Sequence, residues 1–341
     1  MTGYEQAALN YVRQRAEPRH AECLLRLQQI CALWDNDAGE LIRQALQKPV
    51  TVNFHPDRLS NNGKTVLENL SEQGFYHGQF RTGISNGALG SKRLRWEQEM
   101  FGGAYPESFA DRPKYGALNI FHFRDGASAR FGSCFFVLKT SVTDRCTFSY
   151  GDSSSDPEII CTGDTFAGIL TALLRDVELH GRMLNQGVST QQEALAILLH
   201  RPREWKAMGR NLDFCIETHI HGSLSLQNDV ERLFLDGSYR GTELEQAARE
   251  LCRKYGIGLD WIPERQIGLD EIGRLFRGPE LPSFAEKIDR LFGGGGVINA
   301  CLIGKAARES AVHPERWSDS GTPAQVFQLI KQLWHTVGYF G

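Results

Sequence analysis

The densest chemistry in the sequence is Glu217-Thr218-His219-Ile220-His221-Gly222. The run Phe214–His221 alternates apolar and polar side chains, which predicts a strand, and a strand puts Glu217, His219 and His221 on one face. Three ionisable groups on an apolar-flanked strand are costly to bury unless a partner or a task holds them there. Such a face suits a carboxylate that stabilises positive charge beside imidazoles that move a proton. His-x-His equally suits a metal ion, and residue types alone leave the two chemistries level. The plainer alternatives are a solvent-facing polar stripe and a structural His–Glu pair.

Two earlier stretches carry complementary groups. Phe54-His55-Pro56-Asp57-Arg58 closes the alternating, β-branched run Val50–His55. A proline there ends ladder pairing and displays His55, Asp57 and Arg58 on a rigid support; a local Asp57–Arg58 pair is the structural alternative. Gln79-Phe80-Arg81-Thr82-Gly83-Ile84-Ser85-Asn86-Gly87 packs glycines, hydroxyls and an amide together. A loop of that kind can bring backbone N–H groups to a phosphate or ribose, although Ser-Asn-Gly is also an ordinary turn. Asp152 and Ser153, after a strand, are placed at a site edge. The run Gly293–Gly296 can hold an anion before a helix, but it lacks the dinucleotide fingerprint and the P-loop lysine, so a hinge is the stronger reading.

The elements that must position these groups can be read from periodicity. Residues 4–48 predict three helices, with Glu17-Pro18 separating the first two and Asp35-Asn36-Asp37 capping the third. The texture changes to strand at Pro49, and a helix is expected within 60–74. Strand and loop signals dominate from Gly74 to about Asp152, clearest at Phe131–Lys139 and Cys146–Tyr150. Helices return at 164–184 and about 190–200, and beyond 223 the chain reads as mostly helical. This divides the chain into an N-terminal helical segment (1–48), a core (49–235) and a C-terminal helical region (236–341).

Composition bounds the class. The chain has 341 residues, 41% of them hydrophobic, and a formal net charge of -3, which argues against a strongly basic nucleic-acid module while leaving room for a local basic groove. The N-terminus has no basic n-region followed by an apolar core, and the longest apolar runs are too short to span a bilayer. The eight cysteines are scattered with no Cys-x-x-Cys pair, as expected of reduced thiols in a cytoplasmic protein.

Taken in order, the motifs resemble those of a group of uncharacterised bacterial proteins that carry a domain-of-unknown-function label, over about residues 50–310. The stretches that carry the likeness are His55-Pro56-Asp57-Arg58, the glycine-containing run from Gln79, Arg112-Pro113-Lys114-Tyr115-Gly116-Ala117-Leu118-Asn119 and the Glu217–Gly222 strand. Within that span, Tyr115-Gly116, Phe136-Val137-Leu138-Lys139, the run from Arg145 to Ser153 and the Glu217 strand are similar to ADP-ribosyltransferases of bacterial toxin and phage systems. The resemblance implies an α+β fold: a split, strand-rich ADP-ribosyltransferase-like core with helical N- and C-terminal extensions. It implies NAD as substrate, no metal, and mono-ADP-ribosyl transfer to a macromolecule, protein or nucleic acid, RNA included. It further implies a toxin, effector or defence protein without membrane attachment, under the control of an antitoxin or regulatory partner.

Residue by residue, the resemblance makes Glu217 the catalytic carboxylate, with His219 beside it. His55 or Arg58 becomes the first-strand contact, Arg58 on the pyrophosphate and His55 on a ribose hydroxyl. Gln79, Thr82, Ser85 and Asn86 join the NAD site, the last two shaping the nicotinamide pocket, and His221 positions the acceptor. Two departures stand out. Thr82-Gly83-Ile84-Ser85 replaces the usual Ser-Thr-Ser, and Cys215-x-Glu217 replaces the usual Glu/Gln-x-Glu. Aligning Glu217-x-His219 instead would put a histidine in the catalytic slot. The competing expectations are a metal-dependent hydrolase or nuclease using Glu217, His219 and His221, and a non-catalytic binding protein with a transferase-like core.

Overall fold

A computed structural model describes residues 1–83, 91–153, 156–199 and 212–341. Its centre is an eight-stranded sheet of β1 (Val50–Phe54), β2 (Lys114–Leu118), β3 (Cys134–Leu138), β4 (Cys146–Tyr150), β5 (Ile160–Thr162), β6 (Ile216–Ile220), β7 (Val230–Asp236) and β8 (Gly258–Ile262). The spatial order is β8-β7-β3-β1-β2-β6-β4-β5, antiparallel throughout except for the β7–β8 edge. Around it lie α1 (Gly3–Ala32), α2 (Ala38–Leu46), α3 (Val66–Gln73), α4 (Ser91–Met100), α5 (Ala167–His180) and α6 (Gln191–Leu199). The C-terminal part adds α7 (Glu243–Tyr255), α8 (Leu281–Ile288), α9 (Ala300–Val312) and α10 (Pro323–Phe340). The fold is therefore mixed α+β, as expected.

Strand alternation divides the sheet into two chemical faces. On β4, Cys146 and Phe148 are core residues, and Phe148 meets Phe166 edge-on at 5.1 Å just before α5. Helix α5 buries Ile169, Leu170, Leu173, Leu174 and Val177 in the same core. Each such side chain contributes about 1.5–3 kcal/mol on burial, which anchors the helix to the sheet. The opposite face carries Thr147 and Ser149 of β4 across from His219 and Glu217 of β6.

Four sequence expectations change. Helix α1 runs unbroken through Pro18, where the flanking residues Glu17 and Arg19 are exposed. On that solvent side, water can serve the carbonyl that a proline leaves without its N–H donor, so the ring need not end the helix. Helix α4 replaces strand and loop at 91–100; its sequence is charged and weakly amphipathic, and it is braced instead by the Arg93–Glu97 pair. The stretch beyond 223 contains a β7–α7–β8 unit as well as helices, so β8 joins the central sheet. The glycine run at 293–296 closes on an internal carboxylate. The N–H groups of Gly294, Gly295 and Gly296 donate to the Asp289 carboxylate at 2.9–3.2 Å, so the anion they hold is the chain's own.

One irregularity positions the site. β1 and β2 pair on two rungs only, Val50–Leu118 and Thr51–Ala117, although each strand has five residues. β1 continues beside β3 as far as Phe54–Cys134, while β2 stays with β6 along its whole length. The end of β1 is tied to the β3 side through Asn53, whose amide donates to Asp125 O at 2.9 Å and accepts from Ser128 Oγ at 3.2 Å. The sheet thus opens as a wedge between the end of β1 and the start of β2.

Candidate functional site

A cavity of about 550 Å³ lies in the mouth of this wedge. Asn53, Phe54, His55 and Arg58 line it from the β1 side, Tyr115 and Gly116 from β2, and Glu217 from β6. Gln79 and Thr82 reach it from a single helical turn, Asp152 and Ser153 from the loop after β4, and Phe327 and Lys331 from α10. His55, Arg58, Gln79, Thr82 and Glu217, read from separate parts of the sequence, therefore meet in one place. Ser85 and Asn86 lie outside the described residues. His219 and His221 share the expected face but have no exposed surface; they stand behind Glu217 and do not line the cavity, which does not fit a role in touching substrate.

Glu217 is 5% exposed, and its two oxygens differ. Oε1 accepts from the Ser153 backbone N–H at 3.2 Å and pairs with His219 Nε2 at 3.0 Å. Oε2 has no partner among the described residues and belongs to the cavity wall. Behind it, Thr147 Oγ1 lies 3.0 Å from His219 Nδ1 and 3.1 Å from His221 Nε2, and Tyr105 Oη lies 2.6 Å from His221 Nδ1. All four ring nitrogens of the two histidines are thereby engaged in hydrogen bonds, which leaves none open toward an ion. Burial, with His219, Lys114 and Arg145 nearby, holds His221 well below the ordinary histidine range.

The other end of the cavity is cationic. Arg58 is 6% exposed, lines the cavity and has no carboxylate partner among the described residues; its guanidinium sits over the Phe327 ring at 5.3 Å. Burial lowers its pKa, and the adjacent Asp57 opposes that shift. Asp57 itself turns away, accepting from Tyr239 Oη at 2.8 Å. His55 meets Trp334 edge-on at 5.4 Å and is kept neutral by burial, then by Arg58 and His335. Lys331 is also pulled below the usual lysine range, by burial first and then by Arg130 and Arg277. Arg130, in contrast, is paired with Asp152 and, at 2.7 Å, with Asp213, so it braces the wall.

Sequence reasoning missed Arg93 and Trp96 on α4 and Phe327 and Lys331 on α10, all of which line the cavity. Arg93 bonds Glu97 and Gln79 and lies 4.4 Å from the Tyr115 ring centroid. The i,i+4 spacing of Arg93 with Glu97 and of Phe327 with Lys331 is a visible signal for two helix faces. Nothing local says that those faces meet a strand end more than a hundred residues away.

Chemically, the arrangement offers a fixed carboxylate, two cations (Arg58 and Lys331) without a carboxylate partner among the described residues, and aromatic walls from Phe54, Tyr76, Trp96, Tyr115, Phe131 and Phe327. That combination suits a ligand with flat rings, hydroxyls and negative charge. No curated protein matches the chain. The family model that matches covers residues 49–340, somewhat beyond the span of the sequence resemblance. The chain belongs to the family described as Protein of unknown function (DUF3626).

Proposed function

We propose that the protein is a mono-ADP-ribosyltransferase that consumes NAD. The observation that carries this reading is the single cavity, set where β1 and β2 part, with Glu217 Oε2 on one wall and Arg58 and His55 on the other. A split, strand-rich core is what the sequence resemblance implies.

In the proposed reaction, the bond between the nicotinamide nitrogen and ribose C1′ breaks, and nicotinamide leaves neutral with the bonding pair. Positive charge develops on the ribose, as in glycoside cleavage. Glu217 accepts from the ribose 2′-hydroxyl through Oε2 and stabilises that charge. Arg58 pairs with the pyrophosphate and His55 bonds a ribose hydroxyl, while Gln79 and Thr82 also line the cavity. The acceptor then forms its bond to C1′ and gives up its proton to water. The acceptor is a macromolecule, protein or nucleic acid, and the role is that of a toxin, effector or defence protein under the control of a partner.

The test is incubation with NAD labelled on the adenylate, together with cell lysate, beside a Glu217→Gln control. Label in protease- or nuclease-sensitive material that disappears in the variant supports transfer and names the acceptor class. Nicotinamide release without transfer narrows the reading to NAD hydrolysis. NAD neither bound nor consumed ends it.

A further inference from the structure

Glu217 is the visible end of a longer construction. From its Oε1, contacts run to His219, to Thr147, to His221 and to Tyr105, over 3.0, 3.0, 3.1 and 2.6 Å. The four groups behind the carboxylate are 0–1% exposed. They are also walled by rings: Phe101 meets His219 and His221 edge-on at 5.6 and 5.1 Å, and Tyr115 meets His219 at 5.2 Å. Solvent has no access from which to take over any of these bonds.

An ionised carboxylate only accepts, so the bond at Glu217 makes His219 Nε2 the donor. With His219 neutral, its Nδ1 must accept, and Thr147 Oγ1 is then the donor to it. The Thr147 oxygen in turn accepts from His221 Nε2–H, and His221 Nδ1 accepts from Tyr105. Burial pushes the Tyr105 phenol up, so it keeps its proton to give. An ionised Glu217 and a neutral His219 together set every proton in the chain, and both histidines become Nε2–H tautomers. All the donors point the same way, toward Glu217, an arrangement in which each bond polarises the next.

We propose that Tyr105, His221, Thr147 and His219 form a one-way hydrogen-bond chain that holds the Glu217 carboxylate in its working orientation. His219 and His221 are positioning residues, and Thr147 is the link through which the outer half reaches the inner. The chain fixes Oε1 from behind and leaves Oε2 to the ligand. What the carboxylate then does rests on the transferase reading; the chain itself does not.

Thr147→Val keeps the shape and removes the link, while Thr147→Ser restores the hydroxyl. In the NAD-consuming reaction, Thr147→Val lowers kcat by about 10- to 100-fold, the scale of a misplaced catalytic group, and leaves NAD affinity unchanged. Thr147→Ser recovers most of the rate, and Tyr105→Phe, which removes only the far donor, loses less than Thr147→Val. A Thr147→Val protein with the wild-type kcat, or a Thr147→Ser protein as slow as Thr147→Val, overturns the proposal. Ring-nitrogen NMR of labelled histidine needs no NAD. Two Nε2–H histidines whose signals both shift in Thr147→Val support the chain even if wild-type protein leaves NAD untouched, in which case only the transferase reading fails. A His219 that carries a proton on Nδ1 overturns the chain whatever the activity.

Discussion

Behind Glu217, each polar side-chain atom from Tyr105 to His219 has a partner, whereas around Arg58 several have none. Arg58 Nε, Asp57 Oδ1 and both ring nitrogens of His335 are buried without a hydrogen bond. An unsatisfied buried group costs about 1–3 kcal/mol, so a folded chain carries several of them most readily where something else completes the set. The two ends of one cavity therefore differ in kind. The carboxylate end is finished before any ligand arrives, as suits a group that must be aimed. Of the unpartnered atoms around Arg58, only Arg58 Nε belongs to a residue that lines the cavity, and under the transferase reading the pyrophosphate would complete it.

The largest effect expected from this contrast is at Glu217. Glu217→Gln keeps an oxygen that can accept from Ser153 and His219 but removes the charge. Turnover of NAD falls by about 100- to 1,000-fold, the scale of lost transition-state electrostatics, while the dissociation constant for NAD barely moves. Single-turnover nicotinamide release and calorimetry check the two halves, and a variant that loses binding along with rate breaks the contrast.

Arg58→Ala should do the reverse. It weakens NAD binding by about 10- to 100-fold, the worth of a charge-assisted bond, with a smaller change in the rate at saturation. Arg58→Lys falls between, since it keeps charge without the planar fork. Equal affinity in all three proteins would mean that Arg58 is structural.

Gly304 on α9 separates the two ends by a different route. A Cβ there would collide with Asp57 Oδ2, so Gly304→Ala must displace Asp57 and with it Arg58. The variant loses about 1–3 kcal/mol in urea unfolding and binds NAD less well. The histidine ring signals behind Glu217 stay where they are; if they move, the two ends are coupled.

A separate effect is in the pH dependence of stability. Burial, with Arg277, Lys331 and Arg130 nearby, pulls His335 down from 6.5 to about 3. The unfolded chain therefore binds a proton below pH 6.5 that the folded chain refuses until about pH 3. Stability from this residue is complete above pH 6.5 and is lost as pH falls through that window, at about 1.4 kcal/mol per pH unit. His221 adds to the same trend. Urea unfolding at a series of pH values should flatten in His335→Leu, and an unchanged slope would remove His335 from the account.

Much of the local structure was legible. Asp37 caps α2 through the Glu40 N–H, β1 and β4 appear where alternation puts them, and the short connection 140–145 links two strands. Short-range chemistry decides such features, so nearby residues suffice. α4, β7 and β8 were not legible, because their stability comes from what they pack against. A weakly amphipathic helix and an edge strand beyond an apparently helical stretch carry little signal of their own.

The candidate site divides in the same way. Period-two alternation on β6 was enough to place Glu217 and His219 on one face, and the proline that ends β1 was enough to place His55 and Arg58 at that strand end, where they line the cavity. Sequence cannot say that two residues on one face have opposite fates. Glu217 borders the open wedge, while His219 is enclosed by Tyr115, Thr147 and Phe101. That outcome depends on where β1 leaves β2 and on which strands flank β6. Both are set by packing between segments far apart in the chain, and no local pattern encodes them.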